Sequence, residues 1–300
     1  MKKILFILLL LVYADAFTQR PVYVYQPEAW GKDAALTKDL VDSTIKMLKK
    51  RLLNSGYTSS TVTYNSDQKE FRVESNSELE DEFARKWLIK SCEVFFYEIY
   101  DPAEFASILL AGDGYQKRTD DKRNFLKLLN FKAEMNTGSR ISNIGIVKKQ
   151  DADAFNKLKK KLDTNLPVDC LFAYSQKVIT SGDTSVVSRE VYALRNNEWK
   201  LPVHQMLRSA TPGSDGRGRP VIQLRFNETG QKSFARLTMK NVGRAIAIVV
   251  DGLVYSAPYV NGSIEGGVAE ISGYFTKEEA KQFASMLSSG SLPLRLVLIK

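Results

Sequence analysis

The sequence predicts an α+β fold, and three observations in its C-terminal part carry that prediction. From Val221 to the end of the chain, strand-like and helix-like stretches follow the order βαββαβ, with Val268–Ser272 as a further edge strand. Asp251-Gly252, between two apolar runs, is the strongest short-range signal for a β-hairpin. Thr276-Lys277-Glu278-Glu279 matches the capping box that opens a helix. Because βαββαβ is the split-βαβ order, we expect a ferredoxin-like head domain at residues 191–300.

The predicted head domain reads as a self-contained unit, because local signals agree at every step. Ala280, Phe283 and Leu287 recur at the helical spacing of a buried face, and Gly290 ends that helix. In chain order, its elements are the strand Val221–Phe226, the helix Thr229–Val242, and the hairpin strands Ala245–Val250 and Leu253–Ser256. They are followed by the edge strand Val268–Ser272, the helix 276–289 and the closing strand Leu294–Ile299.

Upstream of the head we expect an α+β base region at residues 17–105, to which residues 292–300 return. Between base and head, residues 106–190 read as an irregular α/β middle region. In chain order, the base elements are a strand at 22–25, a helix at 37–55 that ends at Gly56, and strands at Thr61–Tyr64 and Glu70–Ser75. A helix that a capping box opens follows from Ser77 to about Lys90, and then the β-prone run Cys92–Tyr100.

The first sixteen residues predict a cleavable signal peptide, residues 1–16. Two lysines precede the apolar run Ile4–Tyr13, and Ala14-Asp15-Ala16 offers small residues at the positions that a signal peptidase reads. A permanent anchor is the alternative, but ten apolar residues would span only about 15 Å as a helix. We therefore expect a soluble mature protein from Phe17, in the periplasm (cell envelope) or secreted.

The chain is basic, with a formal net charge of +9. Local lysine clusters lie on two predicted amphipathic helices, around Lys46–Arg51 and Lys157–Lys161. Such clusters are usually the solvated faces of helices. A basic surface also suits anionic lipid or acidic partners, so a contact with a membrane surface stays open. The export signal argues against nucleic acid as a partner.

The inventory of reactive side chains is small. His204 is the only histidine in the sequence, and Cys92 and Cys170 are the only cysteines, so neither metal nor other cofactors are expected. The two cysteines either form one disulfide or remain small buried residues. Asp251 has no partner acid or base at motif spacing, and residues 213–218 lack the Lys-Ser/Thr of a phosphate loop. We therefore expect that the protein is not an enzyme. We also expect residues 213–218 to form a flexible linker.

Three segments of the C-terminal part carry a resemblance to a known family: residues 241–258 (NVGRAIAIVVDGLVYSAP), 271–280 (ISGYFTKEEA) and 290–293 (GSLP). They resemble the SecD subunit of the bacterial protein-export accessory complex, in which these segments form the head of the first periplasmic domain. Residues 35–74 are similar to the base of that domain. The middle region is similar to the longer versions found in fused SecDF proteins of Bacteroidetes-type bacteria.

The resemblance implies a binding module for unfolded or translocating polypeptide, with Sec translocon components as further partners. SecD continues into a transmembrane bundle that holds its proton-coupling groups. Because the sequence has no such bundle, we expect a module without its own proton motor. An envelope adaptor on the same fold, with no role in export, is the alternative function. The candidate polypeptide-binding residues are aromatic side chains around the hairpin, which otherwise pack onto the sheet: Tyr255, Tyr259, Tyr274 and Phe275.

Overall fold

The computed structural model describes residues 22–28, 36–75, 79–111, 117–131, 141–162, 166–180 and 187–300. The predicted signal peptide and the Ser77-Glu78 part of the expected capping box lie outside these ranges. Within them, none of the helices has both the length and the apolar character that crossing a bilayer requires. Helices pack against three separate sheets, so the α+β class is confirmed.

The base is built from four strands and two helices. Their bounds are Val22–Pro27 for β1, Lys38–Asn54 for α1, Ser60–Asn65 for β2, Glu70–Ser75 for β3, Lys277–Ser289 for α7 and Leu296–Leu298 for β15. The strands form an antiparallel sheet in the order β15-β1-β3-β2. Helix α1 joins β1 to β2, and α7 leads into β15, so these elements have βαββαβ connectivity with the rest of the chain inserted after β3.

The chain between base and head is less helical than predicted. The helix predicted to run to about Lys90 is present but shorter, because helical residues extend only from Asp81 to Trp87, and Phe83–Trp87 are π-helical. The β-prone run Cys92–Tyr100 gives the shorter strand β4, Val94–Glu98. Cys92 has a φ of 57°, which breaks the extended path just before the strand.

The middle region forms a layered unit with its own core. Phe125 of α3 and Phe155 of α4 stack at a centroid distance of 4.9 Å, above the face of β6 that carries Phe172. The bounds of its elements are Pro102–Ala111 for α2, Lys117–Leu128 for α3, Gly145–Lys148 for β5, Ala152–Leu162 for α4, Cys170–Ser175 for β6, Ile179–Thr180 for β7 and Val187–Arg195 for β8.

The head elements occur nearly where they were predicted. The capping box is formed, with Thr276 and Glu279 each accepting from the other's backbone N–H. The bounds are Leu201–Pro202 for β9, Val203–Met206 for α5, Leu207–Ser214 for β10, Pro220–Phe226 for β11, Glu228–Lys240 for α6, Ile246–Val250 for β12, Leu253–Ser256 for β13 and Val268–Ser272 for β14.

The head strands do not form the single ferredoxin-like sheet that was expected. β11 lies between β10 and β14 in a three-stranded sheet, while β12 and β13 belong to an eight-stranded sheet with strands of the middle region. β15 pairs with β1 of the base. β12 does not join the sheet of β11, because all five residues of β12 pair with β4 and this edge of β12 is therefore occupied. One apolar core consequently runs through base and head.

The flexible linker predicted at residues 213–218 is wrong, because the segment belongs to a hairpin between β10 and β11. Asp215 Oδ1 accepts from the backbone N–H groups of Arg217 and Arg219, each at 2.9 Å. The N–H of Asp215 donates in turn to the Arg219 carbonyl at 2.9 Å. The Asp215 side chain therefore provides acceptors for the backbone N–H groups of the hairpin turn that occupies the predicted linker.

Candidate functional site

The head contains an apolar cleft of about 400 Å³, which we call the head groove. It is lined chiefly by Phe96, Phe234, Ile246, Ile248, Tyr259, Ile264 and Ala269. The two phenylalanines and the first two isoleucines lie at its floor and are each at most 5% exposed. Phe234 points into the groove because it occupies the inward position of α6, as its spacing predicted. The groove therefore opens directly onto the core that joins head and base.

The segment between β13 and β14 forms one wall of the groove and is held against α6 by hydrogen bonds. The Ile264 N–H donates to Thr238 Oγ1 at 3.0 Å. The Gln231 side-chain amide donates to the Glu265 carbonyl at 2.6 Å. Ile264 keeps 38% of its surface exposed at the rim. This wall thus presents an apolar side chain to solvent on a fixed backbone.

Helix α6 forms the facing wall and is fixed to β4 at its C-terminal end. Glu98 of β4 is buried, and its two carboxylate oxygens accept from Asn241 Nδ2 at 2.9 Å and from Lys240 Nζ at 3.0 Å. A buried carboxylate is tolerated when it is paired and hydrogen-bonded in this way. At the other end, the Asn227 side chain caps the helix by accepting from the Gly230 N–H at 2.9 Å.

An edge strand runs beside the groove. β14 pairs with β11 along one side, and no strand among the described residues pairs with its other side. Ala269 and Glu270 of β14 line the groove, so the strand borders it. The unpaired side of an edge strand carries backbone donors and acceptors that a further strand can use. The groove thus combines an apolar floor with a strand edge.

The structure distributes the four predicted aromatic residues over three environments. Tyr259 lines the groove and donates from its hydroxyl to the Ile141 carbonyl at 3.3 Å. Tyr255 and Phe275 stack on each other at 5.6 Å and pack against Phe283 of α7. Tyr274 is 67% exposed, and its ring lies 4.5 Å from Lys177 Nζ. The four rings therefore do not form one surface.

The sequence reading missed most of the groove. Phe96 lies on β4, far from the head in the sequence, and Ile264 lies in a segment with no element signal. Neither residue belongs to a motif, so only the folded arrangement brings them to the same cleft. A local signal was the apolar Ile264 in a turn-prone segment, between Gly262 and the pair Gly266-Gly267.

The buried side chain of Arg51 links the base to the head by hydrogen bonds, an arrangement that we call the clasp. The Arg51 guanidinium of α1 donates to the carbonyls of Leu88 and Gly290 at 2.9 Å each, and also to those of Lys90 and Ser91. Burial lowers the pKa of Arg51 from its ordinary value. The clasp holds the chain entering β4 and the end of α7 to the same helix.

The head hairpin secures the same entering segment from the other side. Asp251 Oδ1 accepts from Ser91 Oγ at 2.6 Å and from the Glu93 N–H at 2.9 Å. Asp251 has a φ of 48°, in the left-handed region that the turn needs. Its carboxylate therefore has a structural role in the contact between hairpin and base.

The cysteines and the histidine lie apart from the groove. Cys92 and Cys170 carry thiols rather than a disulfide, and they pack against different core clusters. Burial raises the pKa of the Cys92 thiol to about 12. His204 meets the ring of Phe95 edge-on at 6.2 Å. Within the described ranges, no group of three or more potential metal-ligating side chains comes together.

The comparisons with known proteins agree with this architecture. Residues 190–294 match the family model described as SecDF, P1 head subdomain. Over 94 residues the chain is 47% identical to protein translocase subunit SecD of Acidaminococcus fermentans, covering 31% of this chain and 22% of that protein. It is 38% identical over 129 residues to the SecD of Calditerrivibrio nitroreducens, covering 43% and 25%. The chain thus matches about a quarter of the length of these relatives.

Two solved structures share the fold. A structure of SecDF, a membrane component that enhances protein export, superposes with a TM-score of 0.53 at 22% identity, covering 93% of this chain and 98% of the other. SecDF in its super-membrane-facing form gives a TM-score of 0.54 at 21% identity, covering 93% and 29%. The likeness therefore reaches beyond the matched head into base and middle. Residues 190–294 are thus similar in sequence to the SecDF P1 head subdomain, and the chain resembles the two SecDF structures in fold.

Proposed function

We propose that the head groove binds extended, apolar segments of unfolded or translocating polypeptide, and that the protein serves protein export from outside the cytoplasm. The observation that carries this proposal is the edge of β14 beside an apolar cleft. A peptide laid along that edge gains main-chain hydrogen bonds from the strand and apolar contacts from the groove. Every polypeptide offers the first kind of contact, which suits a module that must accept many sequences.

The groove sets the size and strength of this interaction. Its volume of about 400 Å³ takes a few apolar side chains, and β14 is only five residues long. The contact is therefore smaller than a standard protein interface of about 1,600 Å². We expect dissociation constants in the micromolar range or weaker, with reversible binding that needs no nucleotide, metal or proton-motive force.

The four aromatic residues take different parts in this proposal. Tyr259 contacts the bound segment in the groove, and Tyr274 is a second, exposed contact outside it. Tyr255 and Phe275 support the site by fixing β13 against α7. Components of the Sec translocon are the further partners that the named relatives suggest.

The test is fluorescence anisotropy of a labelled, permanently unfolded polypeptide titrated with the protein. Ile264→Asp places a charge at the groove rim and should weaken binding about tenfold or more. Met239→Asp is the matched control, because Met239 is a 60% exposed apolar residue of α6 that does not line the groove. Tyr259→Asp and Tyr274→Asp separate the groove contact from the exposed one, with circular dichroism showing that each variant folds.

The outcomes discriminate between the two functions. Loss of binding in the Ile264 variant but not in the Met239 variant supports the groove. Equal binding by all variants would place the contact elsewhere. If the wild-type protein binds no unfolded polypeptide, the groove proposal fails, and the protein is better explained as an envelope adaptor that recognises one folded partner.

A further inference from the structure

The net positive charge of the chain is concentrated in one part of the middle region. Residues 117–162 contain 13 lysine and arginine residues against 5 aspartate and glutamate residues, which gives +8 of the chain's +9. The other residues together are almost neutral. This segment lies outside the part of the chain that matches the SecDF head, residues 190–294. Such an asymmetry creates a local positive potential rather than a diffuse one.

Helices α3 and α4 present much of this charge on one layer. They lie side by side, joined by the stacked rings of Phe125 and Phe155 on their inner side. Lys122 is buried and Lys159 lies over the ring of Phe172, so these two lysines add little to the outer surface. The exposed basic residues of the layer are Arg123, Lys127, Lys157, Lys160 and Lys161.

The acidic side chains of the two helices neutralise little of this charge. Lys161 Nζ lies 3.6 Å from Asp121 and Arg123 lies 3.7 Å from Asp120, both at or near the surface. Exposed pairs of this kind are weak and are screened by salt. Lys157 and Lys160 are exposed, and the described ion pairs do not include them. The layer therefore keeps a net positive potential toward solvent.

An exposed aliphatic side chain lies six residues beyond the end of α4 in the sequence. Val168 is fully exposed, with a relative accessibility of 107%. It lies in a tight turn that the Cys170 N–H closes by donating to the Pro167 carbonyl at 2.9 Å. Asp169 of the same turn accepts from the Tyr100 hydroxyl at 2.6 Å. The turn is thus held from both sides while Val168 points away from the protein.

We propose that this basic layer and the exposed Val168, which follows α4 in the sequence, dock together on the surface of an anionic lipid bilayer. The lysines attract lipid headgroups, and the valine inserts at the boundary of the acyl chains. An acidic polypeptide or a nucleic acid would match the charge but would leave the protruding valine without an apolar environment. The combination of exposed cations with a rigidly presented aliphatic tip therefore favours a membrane surface.

The experiment measures sedimentation of the purified protein with vesicles. One set contains 30% phosphatidylglycerol in phosphatidylcholine, and the other is phosphatidylcholine alone, which reports any binding that does not depend on lipid charge. Lys157→Gln/Lys160→Gln should lower the partition coefficient on anionic vesicles about 30-fold, since each lysine near such a surface contributes about a factor of five. Val168→Asp should lower it by about tenfold or more, and raised salt should weaken wild-type binding.

Lys46→Gln/Lys49→Gln is the matched control, because it removes the same charge from exposed positions on α1. It should bind anionic vesicles like the wild type. An equal loss in this control would mean that total charge, not the α3–α4 layer, drives binding. No preference for anionic vesicles, or full binding by the Val168 variant, would overturn the proposal. Tighter wild-type binding to polyglutamate than to anionic vesicles would assign the layer to an acidic protein instead.

Discussion

Replacing Arg51 by methionine tests whether the buried clasp holds base and head together. Methionine keeps most of the apolar stem of the side chain, is shorter than arginine, and removes every donor. The carbonyls of Leu88, Lys90 and Gly290 then lose strong hydrogen bonds, while the bond to Ser91 is long at 3.4 Å. Each buried acceptor left unpaired costs about 1 kcal/mol or more.

We therefore expect Arg51→Met to lower the free energy of unfolding by about 3 kcal/mol. Relief of the guanidinium's desolvation, which its lowered pKa reports, keeps the loss from being larger. A loss of this size is a large part of the stability of an ordinary domain, about 5–15 kcal/mol. The free energy of unfolding of Arg51→Lys should lie between those of Arg51→Met and the wild type, because an ammonium group has hydrogen-bond donors but lacks the planar fork of a guanidinium.

The assay is urea unfolding followed by circular dichroism and by tryptophan fluorescence, to which Trp87, packed against Phe283 of α7, contributes together with the other two tryptophans. The adjacent Lys50→Met serves as the control. Lys50 donates to the Ser288 and Ser289 carbonyls at 3.2 Å, but from an exposed position, so it should change stability by less than about 1 kcal/mol. The reasoning is refuted if Arg51→Met unfolds at the wild-type urea concentration.

Two further predictions concern stability and pH. Glu279→Ala should cost about 1 kcal/mol, because it removes the side-chain half of the capping box and the contact with Lys86. The Thr276 N–H and Lys86 lower the pKa of Glu279, so this difference should be full at neutral pH and shrink as acid protonates the glutamate. In a Cys170→Ser background, Cys92 should resist a thiol reagent at pH 8 until the protein is unfolded. Burial raises the Cys92 pKa from 9.0 to about 12. The contribution of the neutral thiol to the free energy of unfolding should therefore be complete below pH 9 and should decrease as the pH rises towards 12. Rapid labelling of the folded protein, or an acid-independent effect of Glu279→Ala, would contradict these expectations.

The sequence could predict the elements but not their partners. Capping, turn and periodicity signals are local, so they identify α7 and the β12–β13 hairpin to within a residue or two. The pairing of β12 with β4 depends on side chains far apart in the chain, and no local pattern specifies it. For this reason the head is not the self-contained sheet that its element order suggested.

The candidate site shows the same division. The inward position of Phe234 follows from helical spacing, but Phe96 reaches the groove from β4. Tyr274 and Phe275 are neighbours with similar rings, and yet the first is exposed and the second packs against Phe283. Only the position of α7 decides between them. The roles of the four aromatic residues in binding remain predictions.

The pairing of β1 with β15 has a consequence for how the protein folds. Tyr25 and Leu298 are register partners, although almost the whole chain separates them. Closing so long a loop is entropically costly, and non-local pairings of this kind slow folding. The β10–β11 and β12–β13 hairpins involve short loops and can form early. Until β15 joins the sheet, β1 keeps an open edge, so we expect the completion of the base sheet to be a late step of folding.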